Sequence, residues 1–155
     1  MLCFVRARGS LLLIRKRRGL GKGKINAPGG RIEPEETAVE AAVRETREEV
    51  GVLPLEPYPV ADLSFQFADG YALHCTVFFA DSHRGEPRDT EEAFPFWCAQ
   101  EEIPFNEMWQ DDRHWLPRVL DGDYVSGRFA FDGDTMLTCE MDYRRRDDVD
   151  RRVPG

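Results

Sequence analysis

The sequence is poor in the residues that build metal-thiolate or disulfide frameworks, and it has no long hydrophobic run. Only four cysteines and three histidines occur in 155 residues, and neither set has the spacing of zinc ligands. The N-terminal apolar stretch is interrupted by Arg6 and Arg8 and is too short for a membrane span or a secretory signal. We therefore expect reduced thiols, a cytoplasmic location, no structural zinc and no membrane partner.

Positive charge is also scarce, because 21 lysines and arginines face 29 aspartates and glutamates, a formal net charge of −8. A long nucleic acid is bound through clustered cations, so this balance argues against a nucleic-acid polymer as partner. The cations of residues 15–18, Lys22, Lys24 and Arg31 concentrate just ahead of an acidic segment. This placement suits a small ligand that carries phosphates.

The hydrophobic pattern predicts one domain with a real core and both types of secondary structure. Strands are predicted at residues 2–5, 11–14, 63–67, 73–79, 96–98, 124–131 and 135–141. One helix is predicted to begin at Pro34 and to bury a stripe of Val39, Val43, Thr46 and Val50, and a second covers residues 112–120. An acidic loop is expected at residues 81–95. The domain is predicted to span residues 1–142, with residues 143–155 as a charged, mobile tail.

Three carboxylates in the first helix carry the strongest chemical signal. Glu45 lies three residues before Glu48 and four before Glu49, so all three rise from one patch of helix surface. Like charges at this spacing destabilise a helix, whereas a hard divalent cation among them stabilises it, and we infer a Mg²⁺ site that Mn²⁺ could also fill. Gly29 is the candidate backbone ligand, since it has no Cβ to block its carbonyl. The alternative is a solvated helix in which Arg44 and Glu48 form an i,i+4 pair.

The residues around this patch fit the pattern Gly-x5-Glu-x7-Arg-Glu-U-x-Glu-Glu-x-Gly-U, in which U is apolar. The matching positions are Gly30, Glu36, Arg44, Glu45, Glu48, Glu49, Gly51 and Val52, and Thr46 replaces the usual aliphatic residue. On these residues the chain is identified as a member of the Nudix hydrolases. The resemblance implies an α+β Nudix fold, a mixed central β-sheet flanked by helices in an α/β/α sandwich.

The same resemblance implies how the metal site works. Glu45, Glu48, Glu49 and the Gly29 carbonyl would hold the metal, and it would generate a nucleophilic water. Glu92 would complete the site as a metal ligand or as the base, and Arg44 would orient the glutamates. Glu48 and Glu92 are both candidates for the group that takes the proton.

From Lys16 to about Met141 the chain resembles the MutT-type branch of the family, and within it the animal oxidised purine nucleoside triphosphatases. This likeness rests on residues 103–112, Trp115, Pro117 and residues 127–131. It implies hydrolysis of an oxidised purine nucleoside triphosphate to the monophosphate and pyrophosphate, a form of nucleotide-pool sanitation. Two departures affect the base pocket, because Leu20 replaces an aromatic residue and Ala93 replaces a methionine.

The Trp-x-Asp-Asp element is the predicted reader of the base. Trp109 offers a flat face on which a purine can stack. Asp111 and Asp112 cannot both ionise cheaply in one pocket, so one can stay protonated and donate a hydrogen bond. The alternative is that the two aspartates cap the following helix.

Other pocket residues follow from the resemblance alone. Asn26 would bond the purine edge, Lys16 would lie at the pocket mouth, Leu20 would take the place of the missing aromatic, and Phe65 and Phe67 would line the pocket. For the two phenylalanines the alternative is plain core, the usual fate of alternating Phe.

Two other functions are alternatives to the hydrolysis of oxidised purine nucleoside triphosphates. Nudix hydrolases of ADP-ribose or of dinucleoside polyphosphates carry a proline or a tyrosine after the motif, where residues 66–69 of this chain have neither. A non-catalytic nucleotide-binding domain would have lost motif glutamates, and this chain keeps them all. We expect a monomer whose partner is a small nucleotide substrate.

Overall fold

The structure is a computed structural model that describes residues 1–146. The chain divides into two compact units. One comprises Met1–Pro59 and Val77–Trp109, and the other comprises Val60–Thr76 and the chain from Gln110 onward. The single domain predicted over residues 1–142 stays a prediction, and most of the predicted tail, residues 147–155, lies outside the described residues.

The described residues form ten strands and two α-helices. In chain order they are β1 (Leu2–Ala7), β2 (Ser10–Lys16), β3 (Ile25–Asn26), α1 (Ala38–Val50), β4 (Leu53–Leu55), β5 (Tyr58–Phe67), β6 (Ala72–Ala80), β7 (Ser82–Arg84), β8 (Ala93–Ala99), α2 (Asp112–Leu120), β9 (Asp123–Asp132) and β10 (Thr135–Arg145). Two short 3₁₀ helices, Gln100–Glu102 and Phe105–Glu107, precede α2. The division between the units falls within β5, within β6 and after Trp109.

The first unit is built around β1 and β2, whose central residues are buried on both faces. β1 and β2 form an antiparallel hairpin, β8 pairs antiparallel with β2, and the end of β6 pairs parallel with β1 from Leu2↔Val77 to Val5↔Ala80. Helix α1 contributes Ala41, Ala42 and Val50 to the same buried cluster as these strands. A run without polar alternation is typical of strands covered on both faces, which explains why Leu11 to Ile14 are all buried.

The second unit combines a three-strand arrangement with α2. β9 pairs parallel with β5, placing Phe65 beside Phe129 and Phe67 beside Phe131, and it pairs antiparallel with β10. Helix α2 packs on β9 and buries Trp115, Leu116 and Val119. The prediction of a helix at residues 112–120 is confirmed by the bounds of α2.

Helix α1 differs from the prediction in its start and in its buried side. It begins at Ala38 rather than at Pro34, because Thr37 and Glu40 form a capping box with two hydrogen bonds of 3.1 Å. The predicted stripe is wrong at Val39, which is exposed, and at Val43, which is only half-buried. The buried side is shifted around the helix, because Ala41 and Ala42 face the core in place of Val39 and Val43.

Two strand predictions also need correction. β7 lies inside the predicted acidic loop, where residues 82–84 pair antiparallel with β4. β10 was predicted to end at residue 141 and the tail to begin at Tyr143, yet the strand continues to Arg145 by pairing with the start of β9. Most of β10 is exposed, so polar side chains suffice there and leave no hydrophobic signal in the sequence. None of the helices in residues 1–146 is long and apolar enough to cross a bilayer.

Candidate active site

Arg44 organises the carboxylates of the motif. Its guanidinium donates two hydrogen bonds to Glu36, of 3.0 and 2.6 Å, one of 2.8 Å to Glu45 Oε1 and one of 3.2 Å to Glu48 Oε2. The hydrogen bonds from Arg44 lower the pKa of Glu36 to about 2. The i,i+4 pair of Arg44 and Glu48, which the solvated-helix alternative predicts, is therefore present. It is one contact of a network that also connects the helix to the loop before it.

Glycines bring the preceding loop against these carboxylates. A Cβ on Gly30 would lie 2.3 Å from Glu45 Cδ, so only glycine allows this approach. The Gly29 N–H donates a hydrogen bond of 3.0 Å to Glu49 Oε2. The loop is itself held by the first residue, because the amino group of Met1 donates to the Gly30 carbonyl at 2.7 Å.

Glu49 is the buried member of the patch, with 4% of its surface exposed. Burial raises its pKa to about 7, against the lowering effect of the Gly29 N–H and of Lys16, while the charges of Glu92 and Glu45 raise it further. Lys16, Glu45 and Glu92 are therefore all close enough to Glu49 to act on its charge. Glu92 itself pairs with Arg18 at 3.3 Å.

The donor set of this patch fits a hard divalent cation in its chemistry. All side-chain donors are carboxylates, and a carboxylate that is buried beside two like charges gains most from an added cation. In residues 1–146, no three His, Cys, Asp or Glu side chains are grouped as a ready-made metal site. Arg44 contacts Oε1 of Glu45 and Oε2 of Glu48, so a cation can bind through the second oxygen of each carboxylate while Arg44 keeps both groups in place.

Predicted base-pocket residues of the first unit lie around the loop between β2 and β3. Trp109 is half-buried, Lys24 Nζ lies 5.1 Å from its ring centroid, and a Cβ on Gly21 would come within 2.9 Å of its indole nitrogen. Asn26 Oδ1 accepts a hydrogen bond of 2.8 Å from the Ala27 N–H. Leu20 is exposed. The contact of Lys24 with Trp109 was not predicted, since nothing local in the sequence links two residues so far apart.

Predicted base-pocket residues of the second unit lie on β5 and at the start of α2. Phe65 stacks on Phe129 at 5.4 Å and Phe67 stacks on Phe131 at 5.7 Å. Both predicted residues are only half-buried while both partners are buried. One side of each ring therefore packs in the core, as the core alternative for Phe65 and Phe67 states. Their role in lining the base pocket stays a prediction.

Asp111 and Asp112 are almost completely buried, each 2% exposed. The capping alternative is wrong for the side chain of Asp111, which makes no cap hydrogen bond. Its Oδ2 instead accepts a hydrogen bond of 2.7 Å from Trp115 Nε1, and burial raises its pKa to about 6. No specific role was predicted for Trp115, although the i,i+4 spacing of the two residues was a usable signal.

Comparison with known proteins identifies the family of this chain. The NUDIX domain model matches residues 1–119, most of the chain, with the glycine loop, Arg44 and the carboxylate patch inside the match. The chain therefore belongs to the Nudix family of hydrolases, which confirms the membership predicted from residues 30–52.

Individual proteins of the family give a more specific comparison than the family model does. The chain is 35% identical over 136 residues to the oxidized purine nucleoside triphosphate hydrolase of Danio rerio, covering 86% of this chain and 87% of that protein. It is 37% identical over 133 residues to the protein of that name in Mus musculus, covering 84% and 85%. A crystal structure of a mutator MutT protein from Bacillus halodurans superimposes with a TM-score of 0.82 at 28% identity, covering 91% of this chain and 95% of that one. The predicted α+β Nudix fold is confirmed.

Proposed function

We propose that this Nudix hydrolase cleaves oxidised purine nucleoside triphosphates to the monophosphate and pyrophosphate, and so sanitises the nucleotide pool. The substrate class is supported by the relatives from Danio rerio and Mus musculus, whose names state it and which match more than four-fifths of the chain. The observation that carries the reaction is the complete carboxylate patch, in which Arg44 holds Glu45 and Glu48 while Gly29 contacts Glu49.

A divalent metal ion is the cofactor of this reaction, and we propose Mg²⁺, with Mn²⁺ as a substitute. Glu45, Glu48 and Glu49 would hold it, with the Gly29 carbonyl and Glu92 as further candidates. When bound, such an ion supplies positive charge to the phosphates and makes a bound water more acidic. Because burial raises the pKa of Glu49 to about 7, metal binding by this carboxylate is coupled to release of a proton.

The remaining residues of the patch have distinct tasks. Arg44 keeps the carboxylates of Glu45 and Glu48 oriented on one side of the helix. Glu48 is the most exposed of the three glutamates of the helix patch, with 60% of its side chain accessible, and this makes it a suitable base for a water that arrives from solvent. Glu92 is the second candidate for the base. Lys16 reduces the negative charge felt at Glu49.

Base selection is assigned to residues that differ in chemistry. Trp109 would stack on the purine, with Asn26 bonding the purine edge and Lys16 and Leu20 near the mouth. Phe65 and Phe67 would line the pocket with their exposed sides. Asp111 and Asp112 would read the altered base, because two adjacent buried carboxyls can share a proton, so that one donates a hydrogen bond while the other accepts one.

The decisive experiment is turnover of oxidised dGTP with product identification. With Mg²⁺ we expect monophosphate and pyrophosphate in equal amounts, and no turnover when the ion is chelated. Release of inorganic phosphate instead would contradict the proposed bond cleavage. Sedimentation and cell fractionation test two further predictions, a monomer and a cytoplasmic location.

A further inference from the structure

The hydrogen bond between Trp115 and Asp111 makes the two oxygens of one buried carboxyl different. Trp115 is fully buried and its indole N–H donates to Asp111 Oδ2 at 2.7 Å. The other oxygen, Oδ1, is equally buried and has no hydrogen-bond partner within residues 1–146. A buried polar atom without a partner is unfavourable and is rare in folded proteins. We therefore expect a bound ligand to supply the missing hydrogen bond to Oδ1.

We propose that Trp115 is a positioning residue for base recognition, which fixes Oδ2 of Asp111 so that Oδ1 is the oxygen offered to the base and the site of any proton that the carboxyl carries. The inference rests on the proposed function. The indole N–H favours the carboxyl form that carries its proton on Oδ1, because the carbonyl-type oxygen of a protonated carboxyl is a much better acceptor than its hydroxyl oxygen. The protonated carboxyl is therefore a donor through Oδ1, and the ionised one is an acceptor through the same atom.

Proton occupancy at this position is set by the surroundings. Burial raises the pKa of Asp111 to about 6, and the hydrogen bond from Trp115 lowers it because it stabilises the ionised form. Titratable groups of the described residues that share this region include Cys75 on β6 and Cys139 on β10, whose thiol pKa values are both raised by the Asp111 charge, and Asp112, whose charge also raises the pKa of Cys75. Loss of the indole donor is thus expected to raise the Asp111 pKa and to free Oδ2 to compete for the proton.

The test is the variant Trp115→Phe, which keeps a buried aromatic ring and removes the N–H. Leu116→Val is the matched control, because Leu116 is the next residue of α2, is fully buried, and has no polar group to offer Asp111. Two quantities are measured from pH 5 to 8. One is the titration of the Asp111 carboxyl carbon by NMR, and the other is the Kd of the oxidised guanine nucleoside monophosphate, which needs no turnover.

In Trp115→Phe we expect the Asp111 midpoint to move to higher pH and the Kd to rise roughly tenfold, the scale of one lost hydrogen bond to a charged group. Leu116→Val should leave both unchanged even if it lowers thermal stability. An Asp111 titration and a pH profile of Kd that are the same in Trp115→Phe as in the wild type would overturn the inference. If the wild type binds no oxidised purine nucleotide while the midpoint still moves, the proposed substrate is wrong and the control of Asp111 by Trp115 stands.

A second measurement keeps the inference testable should Trp115→Phe fail to fold. In the wild-type protein the indole Nε1 proton of Trp115 should shift with pH, with the same midpoint as the Asp111 carboxyl. An Nε1 resonance that does not change between pH 5 and 8 would overturn the inference.

Discussion

Two regions of the molecule hold carboxylates by opposite means. On α1 and in the loop before it, the Arg44 guanidinium donates hydrogen bonds to three glutamates, and the pKa of Glu36 falls to about 2. At the start of α2, Asp111 is buried, its Oδ2 accepts a hydrogen bond from a neutral indole N–H, and its pKa rises to about 6. The first arrangement keeps negative charge available to a cation, whereas the second keeps a carboxyl that changes protonation near neutral pH.

Glu49 shows that the contrast is one of environment and not of residue type. It lies on the same helix as Arg44, yet it is buried, it receives no bond from the guanidinium, and its pKa rises to about 7. We interpret the helix patch as the site of chemistry and the Asp111 region as the site of base selection. Each prediction below tests one of these two roles.

The largest effect is expected for Glu48→Gln and Glu49→Gln. A neutral amide of the same size is a weaker metal ligand than a carboxylate and cannot act as a base, so turnover should fall by about 10²–10⁴-fold, the range for loss of a general base. Glu40→Gln is the control on the same helix, because glutamine preserves the capping box. Near wild-type kcat for both variants at limiting Mg²⁺ would exclude the patch as the metal site.

Trp109→Ala tests base selection without touching the carboxylates. We expect KM to rise by a factor that corresponds to roughly 1–3 kcal/mol of lost stacking, with a small loss of stability since the ring is only half-buried. Trp97→Ala, on β8, serves as the control with another partly exposed tryptophan. A stability loss of about 3–5 kcal/mol, as for a core aromatic, with unchanged KM would assign Trp109 to the core instead.

Gly30→Ala tests the loop that covers the patch. The added Cβ would lie 2.3 Å from Glu45 Cδ, so the carboxylate must move away and metal affinity should fall roughly 10–100-fold, as when a supporting contact of a metal site is lost. Titration calorimetry with Mn²⁺ measures this directly. Ile32→Ala, an exposed residue of the same loop, should bind the ion normally, and equal affinities for all three proteins would contradict the account.

Much of this patch was predictable, and the reasons for the failures are physical. The spacing of Glu45, Glu48 and Glu49 fixes their common helix face, and Thr37 with Glu40 is a readable capping signature. The exposure of Val39 was not predictable, because alanines supplied the packing that the valines were expected to give. The pairing of Tyr143 to Arg145 with β9 leaves no apolar pattern, and the partners of Arg44 depend on how the loop before α1 folds.

The smallest effect concerns stability in the absence of metal. Because the folded-state pKa of Glu49, about 7, exceeds the ordinary glutamate value of 4.5, between these two pH values the native protein holds a proton that the unfolded chain has released. Its contribution to stability is complete below pH 4.5 and is lost as the pH rises through 7. With a chelator at pH 8, Glu49→Gln should therefore be more stable than the wild type by about 1–3 kcal/mol.

Denaturant unfolding at pH 5 and pH 8 measures this difference. The raised pKa of Asp111 acts in the same direction in both proteins, so it cancels in the comparison. Glu40→Gln should show the same dependence on pH as the wild type. If Glu49→Gln also keeps that dependence unchanged, Glu49 is not the buried carboxyl that causes it.

The most direct test of the proposed function is the substrate preference of the wild-type protein with Mg²⁺. Values of kcat/KM are compared for oxidised dGTP, oxidised dATP, undamaged dGTP and ADP-ribose under identical conditions. We expect an oxidised purine triphosphate to exceed ADP-ribose by at least about tenfold, which corresponds to 1.4 kcal/mol of transition-state stabilisation. A kcat/KM for ADP-ribose equal to or above that of both oxidised triphosphates would contradict the account.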